Sequence, residues 1–362
     1  MKEKSGNNNL LMLLLKGRTL IVLLVLFVFF SFMSPNFLSA ATLLLIAKHV
    51  ALYGILAVGM TYVIITGGID LSVGAVVGLT GMVIGGLIQE GLTLPMFGVT
   101  LYFSVPMVFV IAIVLGALAG LVNGLIITKL KVPAFITTLG TMYILRGFAN
   151  LRSNGATFSS LTGNEALGNV GFSFFGTNTM GVPNGAIIFA VIAVIAAIAL
   201  KRTPFGWHTL AIGGNAKAAK FSGIKVDKNT VIVYVISGVC AAIVGVITTS
   251  QLMAAHPDTG NTWEMNAIAA AVLGGTSMSG GIGTIGGTVI GAFIIGVIND
   301  GMVMCGVSEF WQMVIRGLVV VLAVVIDVAQ RRFQAKIALQ AKNASNADKP
   351  AVAAAGGTGK KE

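Results

Sequence analysis

Ionisable side chains are rare in the long apolar stretches of this 362-residue chain, and three stand out: Asp70, Asp300 and Arg316. Asp70 follows Gly67-Gly68-Ile69 and precedes a new apolar run. A carboxylate at this position has two possible roles. It either gates a transport pathway and transmits a conformational change, or it caps the helix that begins there, with the help of Ser72. The local sequence favours the cap, and the two roles are compatible.

A second group of polar residues lies in the C-terminal apolar segments. Asp300 can form an ion pair with Arg316 on the next segment, although extension of Arg316 to a polar surface is the simpler interpretation. The amides of Asn123, Asn266 and Asn299 either bind a ligand hydroxyl or join neighbouring helices. Together with Asp70 and Asp300, these three asparagines are the candidate pathway or gating residues.

Catalytic and metal-binding patterns are missing from the sequence. It has no H-E-x-x-H, G-x-S-x-G or G-x-x-x-x-G-K-[ST] motif, and its three histidines, His49, His208 and His256, are far apart. His256 and Asp258 lack a third ligand, so we interpret them as a loop turn or a docking surface. The chain is therefore predicted to be neither an enzyme nor a metal or cofactor protein.

The composition is that of a membrane protein. Hydrophobic residues make up 56% of the chain, charged residues only 10%, and the mean hydropathy is +0.94. Soluble domains carry about 25% charged residues. The net charge of +11 has no base-stacking module beside it, so it predicts membrane topology and contact with lipid rather than nucleic-acid binding.

Apolar runs predict an all-α protein that crosses the bilayer about ten times, since a span needs roughly 20 apolar residues. The fifth and eighth runs are short and are expected to be tilted, broken or only partly spanning. The runs cover residues 20–37, 43–65, 71–88, 105–127, 135–148, 185–200, 230–253, 267–278, 284–304 and 310–328.

The basic residues orient these spans. With the N-terminus in the cytoplasm, all of them except Lys48, Arg146, Arg152 and Arg316 fall on the cytoplasmic side. This predicts a multi-pass membrane protein with both termini in the cytoplasm. Its parts are an N-terminal tail (1–18), a transmembrane domain (19–329) with a cytoplasmic loop (201–229), and a disordered tail (330–362).

The cytoplasmic loop is longer than topology requires and carries the aromatic residues Phe205, Trp207 and Phe221 among its charges. A short helix is predicted within it. Asn215 is a good N-cap, residues 216–222 read AKAAKFS, and Gly223 suits a left-handed helix end. A helix this short is marginal in water, so we expect it to dock against another surface.

Three stretches resemble one family in order and spacing. They are GMTYVIITGGIDLSVGAVVG (59–78), KVPAFITTLGTMYILRGFA (131–149) followed by RTPFGWHTLAIGGNAKAAKFSGI (202–224), and EMNAIAAAVLGGTSMSGGIGTIGGTVIG (264–291). The chain resembles the permease subunit of bacterial monosaccharide ABC importers, the ribose, xylose and galactoside permeases, over about residues 43–328.

The resemblance implies partners that the sequence does not contain. Such permeases pair as two copies, bind a cytoplasmic ATPase with two nucleotide modules that hold ATP and Mg²⁺, and receive sugar from a periplasmic or extracellular binding protein. It also implies a coupling role for the predicted helix. The residues concerned are Asn215, Ala216, Lys217, Ala218, Ala219, Lys220, Phe221, Ser222 and Gly223.

Two alternatives stay open at this point. A secondary transporter driven by an ion gradient would use a buried carboxylate such as Asp70 or Asp300. A permease of the same family for a nucleoside or another small solute is equally compatible with the residues. A weak internal repeat, residues 67–74 against 274–281, also suggests two broken helices, as transporters often contain.

Overall fold

The computed structural model describes residues 19–347 of the chain, with side-chain environments through residue 329. The predicted N-terminal tail (1–18) and the end of the predicted C-terminal tail (348–362) lie outside the described residues. Within 19–347 the chain is mainly α-helical. The helices are Thr19–Met33 (α1), Ala40–Ile65 (α2), Val73–Gln89 (α3), Val105–Lys129 (α4), Ala134–Leu151 (α5), Asn184–Arg202 (α6), Pro204–Gly214 (α7), Ala216–Phe221 (α8), Val226–Leu252 (α9), Trp263–Leu273 (α10), Ile285–Met304 (α11) and Glu309–Ala347 (α12).

Six of these helices are long and apolar enough to cross a membrane: α2, α4, α6, α9, α11 and the first 21 residues of α12. Three shorter apolar helices, α1, α3 and α10, and the 18-residue α5 account for the other predicted runs. The all-α, multi-pass prediction is confirmed, whereas the count of ten crossings stays a prediction. The eighth run ends early, at Leu273 rather than 278, because Gly275 turns the chain with φ +91°.

Helices α2 and α9 form a central pair in the bundle. Helix α9 packs against α2, α3 and α4, and α2 also contacts α6, α10 and α11. The contact between α4 and α9 depends on three glycines one turn apart, Gly116, Gly120 and Gly124. A Cβ atom on any of them would collide with the α9 backbone, so the absent side chains let the two helices approach closely.

Two helix pairs are interrupted in the same way. The chain leaves α2 through Gly67 (φ +83°) and α10 through Gly275 (φ +91°). In each case the N–H of the residue after this glycine bonds the carbonyl five residues earlier, from Gly68 to Val63 and from Thr276 to Ala271. The predicted repeat is therefore present as a shared helix-ending geometry, but its register is shifted by one residue from the alignment of Gly67 with Gly274.

Three local features differ from the sequence-based expectations. Helix α7 was missed, although Thr203 caps it and Pro204 occupies its first turn, which is a typical helix start. Short antiparallel strand pairs occur in the loops: Leu92–Leu94 (β1) with Val99–Leu101 (β2), Phe158–Ser159 (β3) with Ala254–Ala255 (β6), and Asn178–Thr179 (β4) with Val182–Pro183 (β5).

The third difference concerns the predicted disordered tail. Helix α12 continues beyond residue 329 to Ala347, through QRRFQAKIALQAKNASNA. Alanine, glutamine, lysine, arginine and leucine all favour the helix, so this segment extends a helix that the membrane span has already nucleated. The expectation of disorder over 330–347 was wrong.

Candidate functional site

A buried polar network surrounds Asp70 at the break between α2 and α3. Asp70 is 1% exposed, and its Oδ1 accepts hydrogen bonds from the Ser72 backbone N–H (3.0 Å) and the Ser72 hydroxyl (2.6 Å). Its Oδ2 accepts a bond from the hydroxyl of Ser237 on α9 (2.8 Å). Ser72, not Asp70, is the N-cap residue of α3, so the interpretation of Asp70 as the helix cap was wrong. The bond from the Ser72 N–H to Asp70 closes a local turn just before the helix. The bond to Ser237 joins the start of α3 to α9.

The network continues through Asn123 of α4. The Asn123 amide donates from Nδ2 to the Ser72 oxygen (2.9 Å), and its Oδ1 accepts from the hydroxyl of Thr141 on α5 (2.6 Å). Since the Ser72 oxygen accepts this bond, its proton is free to point at Asp70. One continuous chain of hydrogen bonds therefore couples α3, α4, α5 and α9, and a shift of one helix changes bonds on the other three.

The remaining predicted pathway residues belong to another part of the bundle, formed by α2, α10, α11 and α12. Asp300 and Arg316 do not form the ion pair that the sequence left open. Asp300 Oδ1 instead lies 2.6 Å from His49 Nδ1 on α2, and Arg316 donates its Nε–H to the Gln312 carbonyl one turn earlier on its own helix. Helices α2 and α11 pack directly together, which brings His49 within reach of Asp300.

The asparagines of this second region are buried beside that pair. Tyr53 lies within electrostatic reach of Asp300 and Arg316 and beside Asn299. The amide nitrogens of Asn266 and Asn299 have no hydrogen-bond partner among the described residues, nor does Oδ2 of Asp300. The five predicted residues thus divide into a satisfied network (Asp70, Asn123) and a second group with unpartnered atoms, the α10–α11 cluster (Asn266, Asn299, Asp300).

The basic segment after α6 folds into the consecutive helices α7 and α8. Asn215 begins α8, its Oδ1 accepting the Ala218 N–H at 3.0 Å, and Gly223 follows the helix in the left-handed conformation (φ +84°). The predicted helix, N-cap and stop are therefore confirmed. Ala219 faces inward and is buried, while Lys217, Lys220 and Phe221 are exposed, Phe221 by 92%.

The aromatic residues of this segment differ in their roles. Phe205 packs its ring against Tyr62 of α2 at a centroid distance of 5.7 Å, so it holds α7 in place. Trp207 is 63% exposed and, with Phe221, gives the segment an apolar surface among its lysines. Exposed aromatic residues beside basic ones are typical of protein interfaces.

Helix α7 also touches the two helix breaks. The Gly281 N–H, after the break that follows α10, donates to the Ile65 carbonyl at the end of α2 (2.8 Å). A Cβ atom on Gly213 of α7 would collide with that same carbonyl and with the backbone of Gly281. The end of α2, the end of α7 and the loop between α10 and α11 therefore meet backbone to backbone. The basic segment is thus in direct contact with the core of the bundle.

The model of one protein family, described as the permease component of the branched-chain amino acid transport system, matches residues 42–324. The chain belongs to this family. As a permease component it is a transport subunit rather than an enzyme. The matched range begins in α2 and ends in α12, so it includes the Asp70 network, the α10–α11 cluster and the basic segment.

Curated relatives of this permease are sugar importers by name. The ribose import permease protein of Bacillus subtilis is 43% identical over 84% of this chain and 90% of its own length. That of Escherichia coli K12 is 40% identical over 87% and 94%. The galactose/methyl galactoside import permease protein of Escherichia coli K12 is 36% identical over 86% and 94%. No solved structure matches this permease.

Sequence reasoning missed the partners that complete each site. Ser237 and Thr141 are each one of several hydroxyl residues on their apolar helices, so the sequence did not single them out. His49 was named only as one of three scattered histidines, because its partner Asp300 lies 251 positions away in the sequence.

Proposed function

We propose that this permease is the membrane-spanning subunit of an ATP-driven ABC importer that moves a simple sugar or a related polyol into the cytoplasm. The observation that carries the proposal is the 36–43% identity to ribose and galactoside import permeases over most of the chain. The scarcity of charge in the spans agrees with an uncharged, hydroxylated cargo. A nucleoside or another small solute is the alternative within the same family.

We place both termini, and the basic segment of α7 and α8, in the cytoplasm of a bacterial inner membrane. The distribution of lysine and arginine supports this orientation. Ten crossings follow if α1, α3, α5 and α10 cross together with the six longer helices. Broken or short helices are common where transporters line a passage, which suits α3 and α10.

The coupling contact of the proposal is α8. Its exposed Lys217, Lys220 and Phe221 present charge and an aromatic ring to an ATPase that binds ATP and Mg²⁺ in its own two nucleotide modules. Movement of α8 reaches α7 directly, and α7 contacts the backbone at Ile65 and Gly281. The network of Asp70 then spreads the displacement of α2 and α3 to α4, α5 and α9.

The permease is further proposed to act as a pair of identical chains that receive sugar from a soluble binding protein outside. Helix α5 offers a surface for the second copy. Gly140 and Gly147 lie two turns apart on one face of α5, and a Cβ atom on either would meet no neighbour within this chain. Glycine allows two membrane helices to approach closely, so this open face suits helix pairing.

One observation favours a second candidate function. The His49–Asp300 pair includes a buried carboxylate between α2 and α11, as an ion-gradient-driven secondary transporter would require. Uptake that continues without ATP and stops when the proton or sodium gradient is dissipated would support this alternative.

Affinity capture from mild detergent tests the coupling contact. We expect an ATPase subunit to co-purify with the wild-type chain and to be lost from Lys217→Glu/Lys220→Glu. The matched control is Lys201→Glu/Arg202→Glu, which reverses two exposed charges at the end of α6, outside α8, and should retain the ATPase. Equal retention, or equal loss, in both variants would contradict the contact through α8.

A further inference from the structure

A cavity of about 340 Å³ lies between α10 and α12 and is lined by Asn266 of the α10–α11 cluster. Its volume is within the range of small-molecule sites, roughly 300–1,000 Å³. The α10 side contributes residues at and just before the start of that helix, and the α12 side contributes one face of the span. The lining residues used below are Thr262, Met265 and Asn266 on the first side, and Met313, Arg316 and Val320 on the second.

The amide of Asn266 is the polar group that this cavity leaves unsatisfied. Its side chain is only 3% exposed, and Nδ2 has no partner among the described residues. A buried N–H donor without an acceptor is costly, and most such groups in native proteins are paired. Because Asn266 lines the cavity, an oxygen atom of a bound molecule can accept a hydrogen bond from its Nδ2.

Arg316 adds further donors to the same cavity. Its Nε–H is used by the Gln312 carbonyl, and the planar guanidinium carries four more N–H groups. Apolar side chains, Met265, Met313 and Val320, form much of the remaining wall. An apolar wall with a few fixed donors resembles the general form of a small-molecule site.

The neutral character of the occupant follows from the proposed function, whose cargo is an uncharged, hydroxylated solute. Arg316 is the one ionisable residue among those that line the cavity, and its Nε–H is already used within α12. A lipid acyl chain could enter the apolar part, but it has no acceptor for the Asn266 amide.

We propose that this cavity is a binding subsite for a neutral, polyhydroxylated solute, whose oxygens accept hydrogen bonds from Asn266 and Arg316. The proposal rests on the proposed function, because it makes this cavity a binding position for the transported sugar. Met265 and Thr262 are both exposed, which leaves the subsite accessible from one side.

Cysteine protection in the complete transporter tests the subsite. Cys305, which is partly exposed, is first replaced by serine, and Met265→Cys is then labelled with a membrane-impermeant thiosulfonate reagent. D-ribose and D-galactose are the probes, with glycine betaine as a solute that lacks hydroxyls. We expect the sugar that the transporter carries to slow labelling at Met265→Cys, and betaine to leave it unchanged. Met96→Cys in the β1–β2 turn is the control, and its labelling should not respond to sugar.

Removing the donors should weaken the protection. In Asn266→Leu, the sugar concentration for half-protection should rise about two- to tenfold, as expected for one lost hydrogen bond. Arg316→Leu, on the largely exposed α12, gives a second test if Asn266→Leu fails to fold.

Parallel uptake measurements separate this proposal from the proposed function. Sugar uptake without protection at Met265→Cys overturns the subsite and leaves the function intact. Protection without uptake supports the subsite and contradicts the function. Absence of both overturns the two together.

Discussion

The hydrogen bond between Ser237 and Asp70 offers a sharp test of the buried network. Ser237 and Ser250 are both on α9 and are 1% and 2% exposed, and each donates its hydroxyl proton to one acceptor. The acceptor of Ser237 is the Asp70 carboxylate at 2.8 Å, and that of Ser250 is the Phe172 backbone carbonyl at 2.6 Å. Replacing either serine with alanine deletes the same atom from a similar environment, so the acceptors decide the difference.

The expected magnitudes follow from the type of acceptor. Hydrogen bonds to charged groups contribute about 1.5–3 kcal/mol, whereas side-chain bonds between membrane helices average about 0.6 kcal/mol. We therefore expect Ser237→Ala to lower the free energy of unfolding by about 2 kcal/mol, and Ser250→Ala by less than about 1 kcal/mol. Asp70→Leu should cost more than either, because it removes the acceptor of three donors at once.

Unfolding of the purified permease in mixed detergent micelles, with increasing SDS, measures these free energies. Asp70→Asn combined with Ser237→Ala completes a double-mutant cycle, which isolates the interaction between the two residues. Equal costs for the two alanine variants, or strictly additive effects of Asp70→Asn and Ser237→Ala, would refute the argument that the carboxylate ties α3 to α9.

Three further changes have expected outcomes. Gly120→Ala places a Cβ against the α9 backbone and should destabilise the protein by about 1–3 kcal/mol, whereas Gly286→Ala meets open space and should be neutral in the same micelle assay. Asn215→Ala removes the N-cap of α8, a loss of about 1 kcal/mol, and should reduce ATP-driven uptake without changing the amount of folded protein. His49→Gln and Asp300→Asn should show a coupling of about 0.5–1 kcal/mol in a double-mutant cycle, since His49 is partly exposed; zero coupling would contradict the pair.

The helices were largely predictable because their signal is local. Apolar runs located the helices that correspond to the ten predicted spans, and the Asn215 cap and Gly223 stop located α8 to within one residue of its end. These features depend on neighbouring residues only. The missed helix α7 also had a local signal, the N-cap pair Thr203-Pro204. It was not predicted because the basic residues around it indicated a loop.

The candidate site was less predictable because its contacts join distant segments. The Asp70 carboxylate meets Ser237 from 167 positions away, and Asp300 meets His49 from 251 positions away. The sequence showed that Asp300 and Arg316 occupy neighbouring spans, but not that Arg316 bonds its own helix. Such pairings depend on helix rotation and packing, which hydropathy does not specify.

ATP-driven sugar uptake is the most direct test of the central claim. The permease would be reconstituted in proteoliposomes with its co-purified ATPase, with ATP at the face that carries α8 and radiolabelled D-ribose or D-galactose with the soluble binding protein at the other. The account predicts uptake that requires ATP, survives dissipation of the ion gradients, and is abolished by Lys217→Glu/Lys220→Glu. Uptake that proceeds without ATP and collapses with the proton or sodium gradient would contradict it.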